Sequence, residues 1–242
     1  MMEMNKIKHK GILCLSVVFI IVLIVFSPLF NFVYISVHGN FQISSEEILE
    51  RAGLTDSGNF FLFAPNRAEK DIMQNPYIDQ VVFTRTFPDT LEIRVIERFL
   101  SGFIEHVDGM FLYVDEFGRV IEVRSYKSEE LPIITGLRFS SFHLGELLPV
   151  NNPDAFNAVV VYAQLLNRHG LVDRISQLDV SDPNNIRLRI YSIEVYLGDT
   201  RNAHEKISIL DGILDVWYPA PYTPGFLDLR EPGRDHIFRI LR

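Results

Sequence analysis

The chain has 242 residues, a formal net charge of −8 and one cysteine. An acidic chain of this kind argues against nucleic acid as a partner. A single cysteine rules out an intramolecular disulfide and a metal site of the multi-cysteine type. The length that follows the N-terminal segment suits one or two folded domains.

The N-terminal segment predicts a membrane anchor. Residues 1–10 form a short polar tail with three lysines, and fifteen Leu, Ile, Val or Phe residues lie between Ile12 and Phe30. A helix needs about 20 apolar residues to cross a bilayer core of about 30 Å, so we expect a transmembrane helix at 11–31. The lysines predict a cytoplasmic N-terminus, with the bulk of the chain on the other side of the membrane.

The alternative for this segment is a cleaved secretory signal peptide. The apolar run is longer than the usual signal core, and Ser27–Phe32 offers no small-x-small cleavage site. We therefore expect an uncleaved anchor and a single-pass protein of the cell membrane.

Residues 32–98 predict a small domain with the element order β-α-α-β-β. Ser44 and Glu47 have the spacing of a capping box. The last strand alternates apolar with polar residues, which predicts one wet face that includes Glu97. The expected elements are a strand at Tyr34–Val37, a helix from Ser44 to Ala52, a helix from Pro65 to Met73, and strands at Tyr77–Thr86 and Leu91–Glu97.

Residues 99–230 predict a mixed β-sheet domain with flanking helices, and 231–242 predict a C-terminal strand or tail. Turn pairs and short alternating apolar runs separate the strands, so the fold class of the whole chain is α+β. The expected helices are Asn152–His169 and Thr200–Trp217, and the last strands are Phe226–Leu229 and Ile237–Leu241.

The sequence contains no persuasive catalytic grouping. Its seven histidines are far apart along the chain, and no phosphate loop or nucleophile elbow is present. Asp108 and Asp115 are a weak candidate for an acid/base pair across a hairpin, but turn formation explains both residues better. We expect no enzyme activity and no cofactor.

Several short motifs, in order, carry a resemblance that covers most of the chain after the apolar run. They are Val37–Ser44, Asn75–Ile78, Phe87–Leu91, Ile93–Arg98, Tyr113–Val120, Leu131–Gly136, Leu197–Asp199, Lys206 before Leu210, and Asp228–Arg230. In this order the chain resembles the bacterial cell-division protein family FtsQ, called DivIB in Gram-positive bacteria. The resemblance implies a POTRA domain at 32–98 and an FtsQ/DivIB-type β-domain at 99–230. Phe99-Leu100 after Arg98 and the run 231–235 after Arg230 depart from the family pattern.

The resemblance implies a scaffold of the division septum. Such a protein would bind FtsB-like and FtsL-like division proteins outside the cytoplasm and regulate septal peptidoglycan synthases. Binding would add a partner strand to the C-terminal edge of the β-domain, with Arg230 pairing a partner carboxylate. A solvated arginine that closes a strand is the plainer alternative for Arg230. The expected partner-binding residues are Phe226, Leu227, Leu229, Arg230, Glu231 and Gly233.

The sequence leaves two alternative functions and a second candidate binding surface. POTRA domains also serve polypeptide transport and assembly, and a membrane-tethered enzyme is a third, weaker possibility. The apolar run Phe60–Phe63 is expected to be mostly core, with an exposed docking patch as the alternative.

Overall fold

The computed structural model describes residues 2–54, 58–216, 224–233 and 238–240. The chain divides into two compact units, Met1–Glu97 and Arg98–Arg242. Each unit has a hydrophobic core of its own.

The first unit begins with one long helix, α1, at Met2–Val25. The bounds of α1 differ from the 11–31 expected for the transmembrane segment, since α1 starts within the polar tail and stops before Pro28. Ser27 is extended and accepts a hydrogen bond from the Leu29 N–H, which opens a 3-10 turn at Pro28–Phe30. A proline inside a helix removes one hydrogen bond and clashes with the preceding turn. Among the described residues, no helix is both long enough and apolar enough to cross a membrane.

The rest of the first unit has the expected β-α-α-β-β order. Its elements are β1 (Tyr34–His38), α2 (Ser45–Arg51), α3 (Pro65–Ile72), β2 (Ile78–Thr86) and β3 (Thr90–Glu97). β3 lies in the middle of the sheet, parallel to β1 and antiparallel to β2. Leu91, Ile93 and Val95 on β3 are fully buried against α2 and α3 residues such as Ile48 and Ile72.

The capping box forms only in part. The Ser44 hydroxyl accepts a hydrogen bond from the Glu47 N–H at 3.1 Å, as expected. The Glu47 carboxylate accepts hydrogen bonds from Arg51 Nε and Asn75 Nδ2, both at 2.9 Å. Glu47 thus joins the end of α2 to the turn after α3.

Glu97 is buried, which corrects the expectation that it lies on the solvent-exposed face of β3. Side chains two residues apart on a strand share a face, so Glu97 lies on the same face as Val95 and is buried. Its carboxylate accepts hydrogen bonds from the backbone N–H groups of Phe41, Gln42 and Ile43 at 3.0, 2.8 and 3.0 Å. The carboxylate therefore fixes the loop between β1 and α2.

The second unit is a nine-stranded mixed sheet with two long helices. Its strands are β4 (Leu100–Glu105), β5 (Phe111–Asp115), β6 (Val120–Arg124), β7 (Ile133–Thr135), β8 (Gln177–Asp179), β9 (Ile186–Ile190), β10 (Ile193–Gly198), β11 (Gly225–Asp228) and β12 (Phe238–Ile240). The helices are α4 (Pro153–Arg168) and α5 (Ala203–Val216). The expected end of the second helix at Trp217 lies outside the described residues, as do Ile237 and Leu241.

The sheet order is β12-β11-β10-β9-β8-β7-β4-β5-β6. Tyr162 and Leu166 on α4, and Ile207 and Leu210 on α5, are buried in one core with the strands. The strand order places β12 at one edge of the sheet and β6 at the other.

Candidate partner-binding edge

The C-terminal strands form a hairpin at one edge of the second unit. β11 is parallel to β10, and β12 is antiparallel to β11, with Phe226 opposite Arg239. The sequence favoured the strand around Asp228–Arg230 as the open edge. β11 instead has a neighbour on each side, so β12 is the strand that a partner could extend.

The hydrogen bonds of β11 show which backbone groups of β12 face outward. The Gly225 and Leu229 N–H groups donate to carbonyls on the β10 side, at 3.4 and 2.9 Å. Alternate residues point their amides to opposite sides of a strand, so the Phe226 amide points towards β12. The amide of Arg239, which lies opposite Phe226, therefore points towards β11. The amides of Phe238 and Ile240 therefore point away from the sheet.

The six expected partner-binding residues do not form one surface. Leu227 and Leu229 are buried in the core, so a partner strand would reach them only through their backbone, and their role in binding stays a prediction. Their alternation on a strand explains the burial, since β11 turns these two side chains towards α5.

The remaining four residues lie at the surface. Phe226 is half-buried and packs edge-on against Tyr196, with ring centroids 5.7 Å apart. Arg230, Glu231 and Gly233 are exposed and follow the end of β11. Their role in binding stays a prediction.

Arg230 is held by a carboxylate two residues earlier. Its Nε and one terminal nitrogen donate to the two Asp228 oxygens at 2.9 and 2.5 Å, and its backbone N–H donates to Asp228 at 3.1 Å. The guanidinium lowers the pKa of the Asp228 carboxyl, although partial burial works in the opposite direction. Asp228 thus fixes the direction of the Arg230 side chain.

An open groove of about 820 Å³ adjoins Arg230 at the start of α5. Its lining is Asp199, Arg201, Asn202, Glu205, Lys206, Arg230, Glu231, Pro232 and Gly233. Acidic and basic side chains alternate around it, which suits a charged segment of a partner better than an apolar one.

Lys206 is the buried charge behind this groove. Its Nζ donates to the Asp199 carbonyl at 2.9 Å and lies 3.8 Å from the Asp199 carboxylate. The Tyr162 hydroxyl donates to the same carbonyl at 2.9 Å. Burial lowers the pKa of Lys206, with the neighbouring Asp199 carboxylate opposing the shift, and burial raises the pKa of Tyr162. These contacts join α4, α5 and the end of β10.

Tyr196 is a surface residue that the sequence did not single out. Its ring lies on β10 beneath the guanidinium carbons of Arg187 and Arg230, at 5.4 and 5.9 Å from its centroid. Arg239 on β12 lies 5.9 Å from the Phe226 ring centroid. The alternation of Glu194 and Tyr196 with buried residues could have shown that both face away from the core.

The weak catalytic candidate gains no support. Asp115 is buried, and it accepts hydrogen bonds from the Phe117 and Arg119 N–H groups at 2.9 Å, which is a turn-forming role. The side chain of Asp108 lies outside the described residues. Within the part of the chain that the structure describes, no three His, Cys, Asp or Glu residues are grouped to hold a metal ion.

Comparison with known proteins shows what the chain is similar to. Residues 30–98 match the family described as "POTRA domain, FtsQ-type", so this part of the chain is similar to FtsQ-type POTRA domains. The chain is 27% identical to the cell division protein DivIB of Clostridium botulinum over 95% of this chain and 90% of that protein.

Two other relatives support the same family. The chain is 26% identical to DivIB of Clostridium tetani over 77% of this chain and 71% of that protein. It is 22% identical to the cell division protein FtsQ of Corynebacterium glutamicum over 84% of this chain and 87% of that protein. All three relatives are named as cell division proteins, and the chain is similar to them over most of its length.

Proposed function

We propose that the protein is a non-enzymatic scaffold of the division machinery. It binds FtsB-like and FtsL-like proteins outside the cytoplasm and thereby regulates septal peptidoglycan synthases. The family supports the division role, and the resemblance described above supports the choice of partners.

The position of β12 carries the proposal, because no strand among the residues that the structure describes pairs with its outer edge. β12 ends the sheet order of the second unit, and the amides of Phe238 and Ile240 face outward by the alternation argued above. A partner strand would pair with these amides through main-chain hydrogen bonds. Side chains beside the edge would then select the partner.

The structure changes which residues we assign to the site. Phe226 stays in it because it pairs with Arg239 of β12, and Arg230 stays in it because it shares the Tyr196 ring as a neighbour with Phe226. Glu231 and Gly233 stay at its rim, where they line the charged groove. Leu227 and Leu229 support the site from the core.

We also propose that the apolar run Ile12–Phe30 anchors the chain in the cell membrane at the septum. Fifteen of its side chains are Leu, Ile, Val or Phe, and lysines precede it. Large apolar side chains along α1, from Ile12 onwards, are exposed. An anchored scaffold would meet membrane-anchored partners in two dimensions, which raises their effective concentration.

The Arg230→Glu variant tests the partner site. The full-length chain, in lipid nanodiscs, would be titrated with the ectodomain of an FtsB-like protein, and we expect Kd to rise at least about tenfold. Arg94→Glu is the matched control, because Arg94 pairs with Glu92 two residues earlier at 2.8 Å on the exposed face of β3 in the first unit. An Arg230→Glu affinity within twofold of the wild type would contradict the site.

The division role has a separate test. A fluorescent fusion of the full chain should concentrate at the septum of dividing cells. An even distribution around the cell would contradict the scaffold proposal, whatever the affinity measured for the isolated partners.

A further inference from the structure

Two loops of the first unit expose large apolar side chains at the same end of its sheet. Phe61 and Leu62, between α2 and α3, are 47% and 52% exposed, and Phe87, between β2 and β3, is 63% exposed. Leu29, just after α1, is 80% exposed. We call these four residues the apolar collar. Within the run Phe60–Phe63, the outer two residues pack against the core and the central two are exposed; the role of the exposed pair in docking stays a prediction.

The aromatic residues of the collar contact Phe30, in the segment that follows α1. The Phe30 ring centroid lies 5.0 Å from that of Phe61 and 5.8 Å from that of Phe87. Phe60 is half-buried behind them and contacts both Phe61 and Phe87, at 5.5 and 5.7 Å. The two loops and the segment after α1 thus form one aromatic cluster.

Hydrogen bonds join the loop between α2 and α3 to the end of α1. Asn59 Nδ2 donates to the carbonyl of Val25, the last residue of α1, at 3.0 Å. The Phe60 N–H donates to the Phe30 carbonyl at 2.7 Å, and the Phe32 N–H donates to the Gly58 carbonyl at 2.7 Å. The loop is therefore tied to both the helix end and the turn that follows it.

The collar continues the apolar surface of α1. Phe26 at the helix end is 65% exposed, and Leu29 follows it. The cation at this end is Arg85, whose guanidinium donates to the Phe60 carbonyl at 3.0 Å and lies 5.4 Å from the Phe60 ring centroid. Aromatic rings with a neighbouring arginine are typical of residues at a membrane–water interface.

We propose that the apolar collar inserts into the interfacial layer of the lipid bilayer beside α1. The proposal rests on the membrane anchoring proposed above. Burial of Phe61, Leu62 and Phe87 among headgroups and upper acyl chains would remove apolar surface from water. Contacts from two separate loops beside the anchor would fix the direction in which the first unit leaves the membrane.

The opposite end of the same sheet supplies an internal control. β3 runs from Thr90, next to the collar, to Glu97, a distance of about 23 Å at 3.3 Å per residue. The Phe41 N–H donates to the Glu97 carboxylate, and the Phe41 side chain is as exposed as Leu29. Phe41 therefore places a large exposed apolar side chain far from the collar.

Depth-dependent fluorescence quenching tests the proposal on the full-length chain. Cys14 is the sole cysteine, so a Cys14→Ser background allows single labels at Leu62→Cys, Phe87→Cys, Phe41→Cys and Ile20→Cys. The chain would be reconstituted in nanodiscs without partner proteins, with a quencher on lipid headgroups, on upper acyl chains or near the acyl-chain ends. The third quencher reaches a label at the bilayer centre, such as that at Ile20. Leu62 and Phe87 lie on separate loops, so one position remains informative if the other variant fails to fold.

We expect quenching at positions 62 and 87 to exceed that at position 41 at least threefold. The label at Ile20 reports the anchor alone. Quenching at position 20 without quenching at 62 and 87 would overturn the collar proposal and leave the anchor standing, and would favour a protein partner for these residues. Equal quenching at 41, 62 and 87 would also overturn it, because the domain would then lie flat on the membrane. No quenching at position 20 would contradict the anchor itself.

Discussion

The buried Glu97 carboxylate yields the sharpest stability prediction for the first unit. Its Oε1 accepts the N–H groups of Phe41 and Ile43, and its Oε2 accepts that of Gln42. In the Glu97→Gln variant the amide oxygen can replace Oε1, but the NH2 group then faces the Gln42 N–H, and two donors meet. One buried donor loses its acceptor at a cost of about 1–3 kcal/mol, and the other two bonds lose their charge assistance. We expect local stability to fall by about 2–4 kcal/mol.

Hydrogen exchange of the full-length chain measures this loss at the loop itself. A fall of about 2–4 kcal/mol corresponds to exchange that is about 30- to 700-fold faster for the amides of Phe41–Ile43. Glu92→Gln is the control, because Glu92 lies on the exposed side of the same strand in an ion pair with Arg94. We expect this control to change exchange less than about fivefold. Exchange of Phe41–Ile43 within threefold of the wild type in Glu97→Gln would refute the reasoning.

Two further predictions concern the second unit. The Asp199 carbonyl accepts from both Tyr162 and Lys206, so Tyr162→Phe or Lys206→Met alone leaves it one donor. The double variant should lose at least about 1 kcal/mol more than the sum of the single variants in urea unfolding of the second unit, and additive losses would argue against a shared acceptor. For the ion pair, the Asp228 carboxyl should titrate below its ordinary pKa of 3.8 when followed by carbon NMR, and Arg230→Gln should return it towards that value. Since a lowered folded-state pKa stabilises the fold above the unfolded pKa, this contribution should persist from neutral pH down to about pH 4 and disappear at lower pH.

The order of elements in the first unit was predictable because local signals agree there. Caps, prolines and period-two alternation each mark an element, and the β-α-α-β-β order follows from them. The error at Glu97 came from residue type: a carboxylate was assigned to solvent, although its position in the alternation placed it with Val95 inside. The three amides that satisfy it come from residues more than fifty positions earlier, and no local pattern contains that contact.

The strands of the candidate site were predictable, but their pairing was not. The sequence predicted strands at Phe226–Leu229 and Ile237–Leu241, and β11 and β12 overlap these segments; partner binding there stays a prediction. The sequence did not show that β12 would fold back on β11, because the pairing depends on a turn and a register between separate segments. The burial of Leu227 and Leu229 follows from that pairing and from the packing of α5, so residue type alone could not separate them from Phe226.

The central claim is that a partner strand pairs with the outer edge of β12, and the Ile240→Pro variant tests it most directly. Proline removes an outward-facing amide and is tolerated at sheet edges, whereas Arg239→Ala keeps every backbone donor. With β11 pairing verified by hydrogen exchange at Phe226, we predict that Ile240→Pro raises Kd for the FtsB-like ectodomain at least about tenfold, because it blocks the added ladder. We predict a change within threefold for Arg239→Ala. An Ile240→Pro affinity equal to that of the wild type, with β12 still paired to β11, would contradict strand addition at this edge.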